Sequence, residues 1–588
     1  MGQRTREHSP IIYTNRAACR DCYRCVRVCP VKAIRMRDGQ AQVIEERCVY
    51  CGTCVRECPQ KAKHVRDDTA WAEELLARGG KVAASVAPTY AAAFAPHERA
   101  RLASALRRLG FSIIAETAVG AAVVAKLTKL FIQERGEGAY ISSACPAVVR
   151  YVERYAPQSV PNLMPVVSPM IAHAHLLREQ HKADAVVFIG PCIAKKFEAE
   201  RREYENVVDC VITFEELRAW LDRAGISFNS LEESRFDEEA PAPARAFPVT
   251  GGQLYAADVP AEFLDGTVCA ISGVEDLRES LTLVESGAHL VVEPLYCSGG
   301  CIGGPAMATD ANLFERRIRV LEHVRSAARD NNRKAALPYD AETLRVETFR
   351  TKFSAAPVET TPVSEDAIRR ALAKIGKLDP RDQLNCGACG YNSCRDKAIA
   401  VVRGLAQPEM CMPYMRFLAE RRTDRIIETS PNGIVILDRD LRILAINPAF
   451  QKMFLCSEAV LGRPISYLTD AKPFEDVASG VSPRVERTTR EIAYGRVFHQ
   501  IVYGMPEDGQ IVGIFVDITE STLTREKLTV LHEQALARSR ELLDHQIRMA
   551  QDITRLLAEN TARGEELVKN LIDIAVVEAP SNPSSSRE

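Results

Sequence analysis

Short, continuous apolar runs alternate with amphipathic stretches from residue 80 to about residue 330. Lys81 to Pro88 reads as a buried strand, and Glu98 to Gly110 as an amphipathic helix ended by its glycine. Val186 to Gly190, Thr267 to Ile271 and Leu290 to Val292 are apolar throughout, and turn residues follow each of them. Strands buried on both faces have this pattern, which predicts an α/β region with parallel strands covered by helices. The acidic, Pro-containing stretch Glu232 to Pro243 predicts a surface loop, and the Ser/Thr/Pro-rich segment Phe353 to Ser364 a linker. From about 421 to 520 the pattern changes to short strands and turns, at Gly433 to Leu437, Ile443 to Asn447, Val497 to Val502 and Ile511 to Val516. Beyond 520 the chain reads as helix. Leu528, Ala535, Leu542, Met549 and Leu556 fall every seven residues, with Ile553, Leu567 and Ile574 on a second such series that Gln546 and Asn560 interrupt. The Ser/Pro-rich tail after 580 predicts disorder.

With 588 residues and 46% apolar content, the chain is expected to hold several domains with real cores. It has no positively charged start with an apolar stretch behind it, and no apolar run near the roughly 18 residues of a membrane helix, so a cytoplasmic location is expected. Nineteen cysteines without an export signal read as metal ligands kept in reducing surroundings, not as disulfides. The net charge of -2 supplies no pull toward nucleic acid or an anionic membrane. Residues 1 to 68 differ, with 14 Lys and Arg against 8 Asp and Glu, a surplus suited to docking an acidic electron carrier.

The motif C-x-x-C-x-x-C-x-x-x-C-P occurs twice, as Cys19, Cys22, Cys25, Cys29, Pro30 and as Cys48, Cys51, Cys54, Cys58, Pro59. In this spacing three thiolates hold one cubane and the fourth, before proline, crosses to the other. That pairs Cys19, Cys22, Cys25 and Cys58 against Cys48, Cys51, Cys54 and Cys29. Zinc ribbons would instead use pairs of C-x-x-C. Val31 to Ile34 answers Gln60 to Lys63 as the second element of an internal repeat. The segment resembles bacterial two-cluster ferredoxin domains.

Four more cysteines lie in three separated segments: Ser142-Ser143-Ala144-Cys145-Pro146, Gly190-Pro191-Cys192-Ile193-Ala194-Lys195-Lys196-Phe197-Glu198, and Glu293-Pro294-Leu295-Tyr296-Cys297-Ser298-Gly299-Gly300-Cys301. Loops at strand ends converge in the crevice of an α/β sheet, and the glycines around Cys301 let backbone approach a bulky inorganic ligand. Read from the residues, this is a further buried cubane, with four unrelated core cysteines as the alternative.

These segments resemble the signature stretches of the FeFe-hydrogenase catalytic domain, over about residues 80 to 330. Pro161-Asn162-Leu163, Ser168-Pro169 and Thr250-Gly251-Gly252 add to the likeness. The resemblance implies that Cys145, Cys192, Cys297 and Cys301 hold the cubane of an H-cluster. Cys301 would bridge to a di-iron unit carrying CO, cyanide and a dithiolate. Lys195 matches the family lysine that hydrogen-bonds a cyanide. Lys195, Glu198 and Cys301 are therefore the candidate catalytic residues.

The chain departs from the family pattern where protons leave. The residue before the first ligand is Ala144 in place of a proton-passing cysteine, and Thr117 to Thr128 runs without the family's carboxylates. Glu198 has no partner legible in the sequence. Gly190 and Leu295 replace two methionines that flank the cluster in the active type.

Cys386-x-x-Cys389-x4-Cys394 with Cys411 resembles the small 4Fe-4S domain of anaerobic redox proteins, with zinc as the alternative. Residues 421 to 520 resemble a PAS domain through Asn447-Pro448-Ala449-Phe450 and the closing Val516 to Glu520. No flavin-reactive cysteine motif or haem ligand stands out, so no PAS ligand is assigned and a PAS domain that acts as transmitter is expected. Cys210, Cys269 and Cys456 fall outside every ligand set and read as core thiols.

The expected fold is multidomain, α/β and α+β. A two-cluster ferredoxin domain at 1–77 is followed by an H-cluster domain with parallel sheets at 78–350. A linker at 351–365 leads to a 4Fe-4S domain at 366–420 and a PAS domain at 421–520. A coiled-coil helix at 521–578 and a disordered tail at 579–588 close the chain. The expected cofactors are four 4Fe-4S clusters and the di-iron unit. The resemblance implies a sensory FeFe-hydrogenase that reads hydrogen or redox state with slow turnover. Its expected partners are an electron-transfer protein such as ferredoxin and a downstream kinase or phosphatase, and the heptad seam predicts a homodimer. The competing readings are a catalytic ferredoxin-linked hydrogenase and a cubane-only redox sensor without the di-iron unit.

Overall fold

The computed structural model describes residues 9–259, 267–307, 309–329, 346–359, 361–505 and 509–519, with positions 539, 546 and 549, and leaves aside the side chains of 419–424. The expected coiled coil at 521–578 and the tail at 579–588 lie outside the described residues, those three positions excepted. Contacts divide the chain into two units, residues 1–411 and 412–588.

The first unit opens with a duplicated lobe. Strand β1 (Ile12–Thr14), the hairpin of β2 (Ile34–Arg37) and β3 (Gln40–Val43), and β4 (Lys63–Val65), antiparallel to β1, frame two one-turn helices, Arg24–Val28 and Thr53–Arg56. The backbone repeats in register with the cysteines. Positive φ recurs at Asp21 and Tyr50 (53° and 55°), at Tyr23 and Gly52 (57° and 73°), and at Lys32 and Lys61 (48° each). Left-handed backbone costs energy in residues other than glycine, so its repetition means that the tight cysteine loops impose it.

The α/β region contains β5 (Val82–Val86), β6 (Ile113–Glu116), β7 (Ala139–Ile141), β8 (Ala185–Gly190), β9 (Cys210–Thr213), β10 (Val268–Ser272) and β11 (Leu290–Leu295). They form two parallel sheets, ordered β6-β5-β8-β9 and β10-β11-β7. Strands β5, β8 and β11 are buried at every position, as their apolar runs predict, even at Ser85 and Glu293. The stretch from Glu98 to Gly110 is divided between two helices, Pro96–Arg99 and Leu102–Leu109, the second closed by Gly110 at φ 110°.

The expected surface loop at Glu232 to Pro243 is exposed at Glu232, Glu233, Arg235 and Asp237, but its middle lies along the edge of the four-stranded sheet. Asp237 N donates to Ile114 O (2.7 Å) and Glu116 N to Glu238 O (3.1 Å). Of its acids, Glu238 is only 5% exposed, whereas Glu232, Glu233 and Asp237 remain exposed, although Asp237 Oδ2 accepts from Ile114 N at 2.8 Å. Residues 351–359 and 361–364 are irregular, and Ala356 N and Val358 N tie the segment to the carbonyls of Glu153 and Arg154.

In the second unit the helix Met412–Thr429 leads into β12 (Gly433–Leu437), β13 (Ile443–Ile446), β14 (Arg484–Glu491), β15 (Arg496–Met505) and β16 (Gln510–Asp517). They make one antiparallel sheet ordered β13-β12-β16-β15-β14. Strand β14 escaped the sequence reading because it is charged along its length, as suits a sheet edge. Phe454 packs between Phe450 (4.4 Å), Phe498 (5.1 Å) and Phe515 (4.8 Å), which fills the core with aromatic rings. Among the described residues, no helix is long and apolar enough to cross a membrane.

Candidate metal centres and the central cavity

The four central cysteines meet beyond the carboxyl ends of three strands. Cys145 caps the helix Pro146–Tyr155 after β7, Cys192 follows β8, and Cys297 and Cys301 follow β11. Burial pushes the Cys192 thiol up to about 12, and Cys145 adds to the shift. Burial likewise holds Cys297 and Cys301 far above the usual thiol range, with the other thiols of the set reinforcing it. Desolvated thiols facing one another ionise readily only against a cation, so this soft, all-sulfur donor set fits an iron-sulfur cluster. At Gly300, with φ 89°, an added Cβ would lie 2.5 Å from Pro248 O, so the loop between the last two cysteines accepts only glycine there.

Beside Cys192 and Cys301 lies a cavity of about 80 Å³. Its wall includes Thr117, Ala144, Phe188, Lys195 and Leu295 and is mostly apolar. The sequence reading treated Gly190 as a simple loss of a flanking methionine and missed Phe188. That ring covers Gly190, where a Cβ would come within 2.8 Å of it.

Lys195 and Glu198, which alone would read as surface residues, are both buried. Lys195 Nζ donates to Glu198 Oε2 at 2.7 Å and to Ser168 Oγ at 2.8 Å. Glu198 therefore has a partner, a correction to the sequence reading. Lys196 turns the other way and spends its donors on Asp68, Glu216 and Val211 O, each at 2.8 Å.

Sequence reasoning also passed over Glu293, although an acid inside the apolar strand Leu290–Leu295 was a usable signal. Its carboxylate accepts from Gln253 N (3.2 Å) and Leu254 N (2.9 Å). Burial outweighs these bonds and raises its pKa to about 7.

In the duplicated lobe a second cavity is lined by Cys19, Cys22, Cys25 and Cys58, together with buried Lys63. Burial raises Cys25 to about 11; Lys63 opposes this, while Cys22, Cys19 and Cys58 add to it. Cys54, by contrast, lies in the field of Cys48, Cys51 and Cys29. Cys58 thus lies near Cys19, Cys22 and Cys25, and Cys29 near Cys48, Cys51 and Cys54. Backbone N–H groups point at sulfur in both halves, from Ala33 to Cys29 (3.3 Å) and from Ala62 to Cys58 (3.2 Å).

The second lobe packs on the central loops. A Cβ at Gly52 would fall 2.5 Å from both Ile193 and Pro305, and Arg56 Nη1 donates to Gly303 O at 3.2 Å. Cys389, Cys394 and Cys411 surround the buried Lys397, whose Nζ donates to Pro408 O at 2.7 Å, while Cys386 is exposed on the adjoining loop. Lys63, Lys195 and Lys397 thus each place a buried ammonium beside one thiol set. Among the described residues, no three His, Cys, Asp or Glu side chains close to single-ion distances. Cys210 is a fully buried core thiol, and Cys269 and Cys456 are half-buried.

Residues 80–305 match the family model of the iron only hydrogenase large subunit, C-terminal domain. Residues 11–59 match the 4Fe-4S dicluster domain, 382–413 a small Fe-S cluster domain and 421–487 the PAS domain. The chain is 26% identical to iron hydrogenase 1 of Clostridium pasteurianum over 281 residues, 39% of this chain and 49% of that one. It is 39% identical to the cytosolic Fe-S cluster assembly factor NAR1 of Kluyveromyces lactis over 94 residues, 16% of this chain and 20% of that one. It thus spans half or less of the length of these two relatives. A solved apo FeFe-hydrogenase from Chlamydomonas reinhardtii aligns over 50% of this chain and all of its own at 18% identity, with a TM-score of 0.37. The chain therefore joins an iron-only hydrogenase large-subunit domain to 4Fe-4S and PAS domains.

Proposed function

We propose that the chain is a sensory FeFe-hydrogenase that reads hydrogen or redox state in the central cavity and signals through its PAS domain and C-terminal helix. The observation that carries this reading is Ala144 in the cavity wall beside Cys192, Cys301 and Lys195. The resemblance puts a proton-passing thiol there, and a methyl group passes no proton. An H-cluster, when bound, supplies the splitting and formation of hydrogen.

The chain's own residues have distinct tasks in this reading. Cys145, Cys192, Cys297 and Cys301 hold the cubane. Lys195 presents an ammonium to an anionic ligand where little water competes. Phe188 and Leu295 keep the cavity apolar. The two cysteine repeats and the set Cys386, Cys389, Cys394 and Cys411 hold three further cubanes, so electrons pass between the cavity and a ferredoxin-type partner. The aromatic core at Phe450, Phe454, Phe498 and Phe515 suits a PAS domain that transmits without a ligand. A homodimer through the heptad seam and a kinase or phosphatase downstream complete the proposal.

The likeness to the yeast assembly factor favours a second reading, a redox sensor holding cubanes alone. Infrared spectra of protein matured with the di-iron unit decide between them. Bands of bound CO and cyanide are expected, with slow hydrogen turnover; their absence would leave the cubane-only reading, and turnover at the active-family rate would make the protein a catalyst.

A further inference from the structure

We infer that protons leave the central cavity by a route of this chain's own, through Thr117, Ser85, His173, Glu238 and His181. The inference rests on the hydrogen-binding reading above. Thr117 lines the cavity together with Ala144, Cys192, Lys195 and Cys301. Its hydroxyl lies 2.7 Å from Ser85 Oγ, and Ser85 Oγ lies 2.8 Å from His173 Nδ1. His173 Nε2 is 3.2 Å from Glu238 Oε2, which in turn is 3.6 Å from His181 Nε2. Ser85 and His173 are wholly buried, whereas the His181 side chain is 31% exposed. The series therefore runs from the cavity wall to the surface.

Each interior member can both take and give a proton: two hydroxyls, an imidazole with two nitrogens, and a carboxylate. The neighbouring polar chain cannot do this. Ser142 Oγ donates to Gln253 Oε1 at 2.5 Å, and Gln253 Nε2 to Thr128 Oγ1 at 2.9 Å, so that chain passes through an amide and ends as Thr128 donates to Val124 O.

Each hydrogen molecule split gives two protons and two electrons, and the electrons leave through the iron-sulfur clusters. A proton reaching Thr117 Oγ1 displaces that hydroxyl's own proton to Ser85 Oγ. Ser85 passes its proton to His173 Nδ1, His173 Nε2 releases one to Glu238 Oε2, and Glu238 hands it to His181 and solvent. Reorientation of the hydroxyls and the ring resets the chain. The burial of Glu238 follows from its place along the sheet edge, which turns an acidic loop into a relay station.

The test uses the matured full chain and three variants. Thr117→Val removes the hydroxyl at nearly constant volume, Thr117→Ser restores it, and Glu238→Gln keeps the shape without the charge. With CO and cyanide bands intact, exchange of hydrogen with deuterated water is expected to slow on the order of 10²-fold in Thr117→Val and Glu238→Gln, and to stay near wild type in Thr117→Ser. Wild-type exchange in Thr117→Val with the bands present would overturn the route alone. Absence of the bands from the wild type would overturn the hydrogen reading and the route with it. In unmatured protein, nitrogen NMR of labelled histidine should find His173 protonated at Nε2 with Nδ1 accepting, and Ser85→Ala should shift Nδ1. A resting His173 protonated at Nδ1 would also overturn the route.

Discussion

Lys195 Nζ donates to Glu198 Oε2 across 2.7 Å, so the ammonium at the cavity wall is held in place by a buried carboxylate one helical turn along. Removing one partner strands the other in a poorly solvated site, which costs about 3–5 kcal/mol. Lys195→Met is therefore expected to lower the unfolding free energy of the metal-free protein by an amount of that order. Glu198→Gln, which keeps an acceptor for the lysine, should cost less. Urea unfolding of both variants checks this, and a loss below about 1 kcal/mol for Lys195→Met would mean that solvent screens the pair.

Glu293 gives the metal-free protein a pH dependence of definite sign. Its pKa is raised by burial from 4.5 to about 7, so between these values the folded state binds more protons than the unfolded one. This contribution to stability is complete below about pH 4.5 and is lost as pH rises through about 7. At 1.36 kcal/mol per unit the change is about 3 kcal/mol. Glu293→Gln should flatten the stability profile across that window. An unchanged slope in the variant would assign the titration to another group.

The sequence made the cysteine loops and buried strands legible because each is a local signal. Spacing named Cys19 to Cys58, and short apolar runs named β5, β8 and β11. What it hid depends on contacts between distant segments. Glu198 looked unpaired although Lys195 stands one helical turn before it; hidden was the burial of both, and that Lys195 also donates to Ser168 in the segment before the helix Pro169–Gln180. Glu238 looked solvated because local composition carries no sign of pairing with His173, 65 residues away. Lys397 carried no signal in the sequence, because its place among three cysteines is set by the fold of the loop carrying Cys411. Strand β14 was lost for the opposite reason, since an edge strand needs no apolar face.

The cysteine sets predict about 18 iron atoms per matured chain, 16 of them in four cubanes and 2 in the di-iron unit. Cys411→Ser should lower the total by about 4, because a cubane rarely survives the loss of a thiolate ligand. Lys397→Met should keep the iron. It would instead shift the potential of that cluster downward, since removing a buried cation disfavours the added electron. Iron analysis, Mössbauer spectra and a redox titration followed by EPR check the three statements. A wild-type total near 14 would mean that one cubane has been misread.

On the sensory reading, Ala144 limits the rate. Loss of a positioned proton carrier typically costs 10² to 10⁴ in rate, so the wild type is expected to turn over hydrogen at least about 100-fold more slowly than the active family type. Ala144→Cys should recover only part of this. The new thiol would stand in the cavity wall, but Leu127 and Thr128 supply no acid behind it, and Thr128 Oγ1 is committed to Val124 O at 2.8 Å. Phe188 over Gly190 would still replace a flanking methionine, so the surroundings of the cluster would remain those of the wild type. Slow exchange suits a sensor, because a fast enzyme would consume the hydrogen it reports. Protein-film voltammetry on both forms separates the possibilities: full family-type currents in the wild type would contradict the sensory reading, and full recovery in Ala144→Cys would mean that one methyl group accounts for the whole deficit.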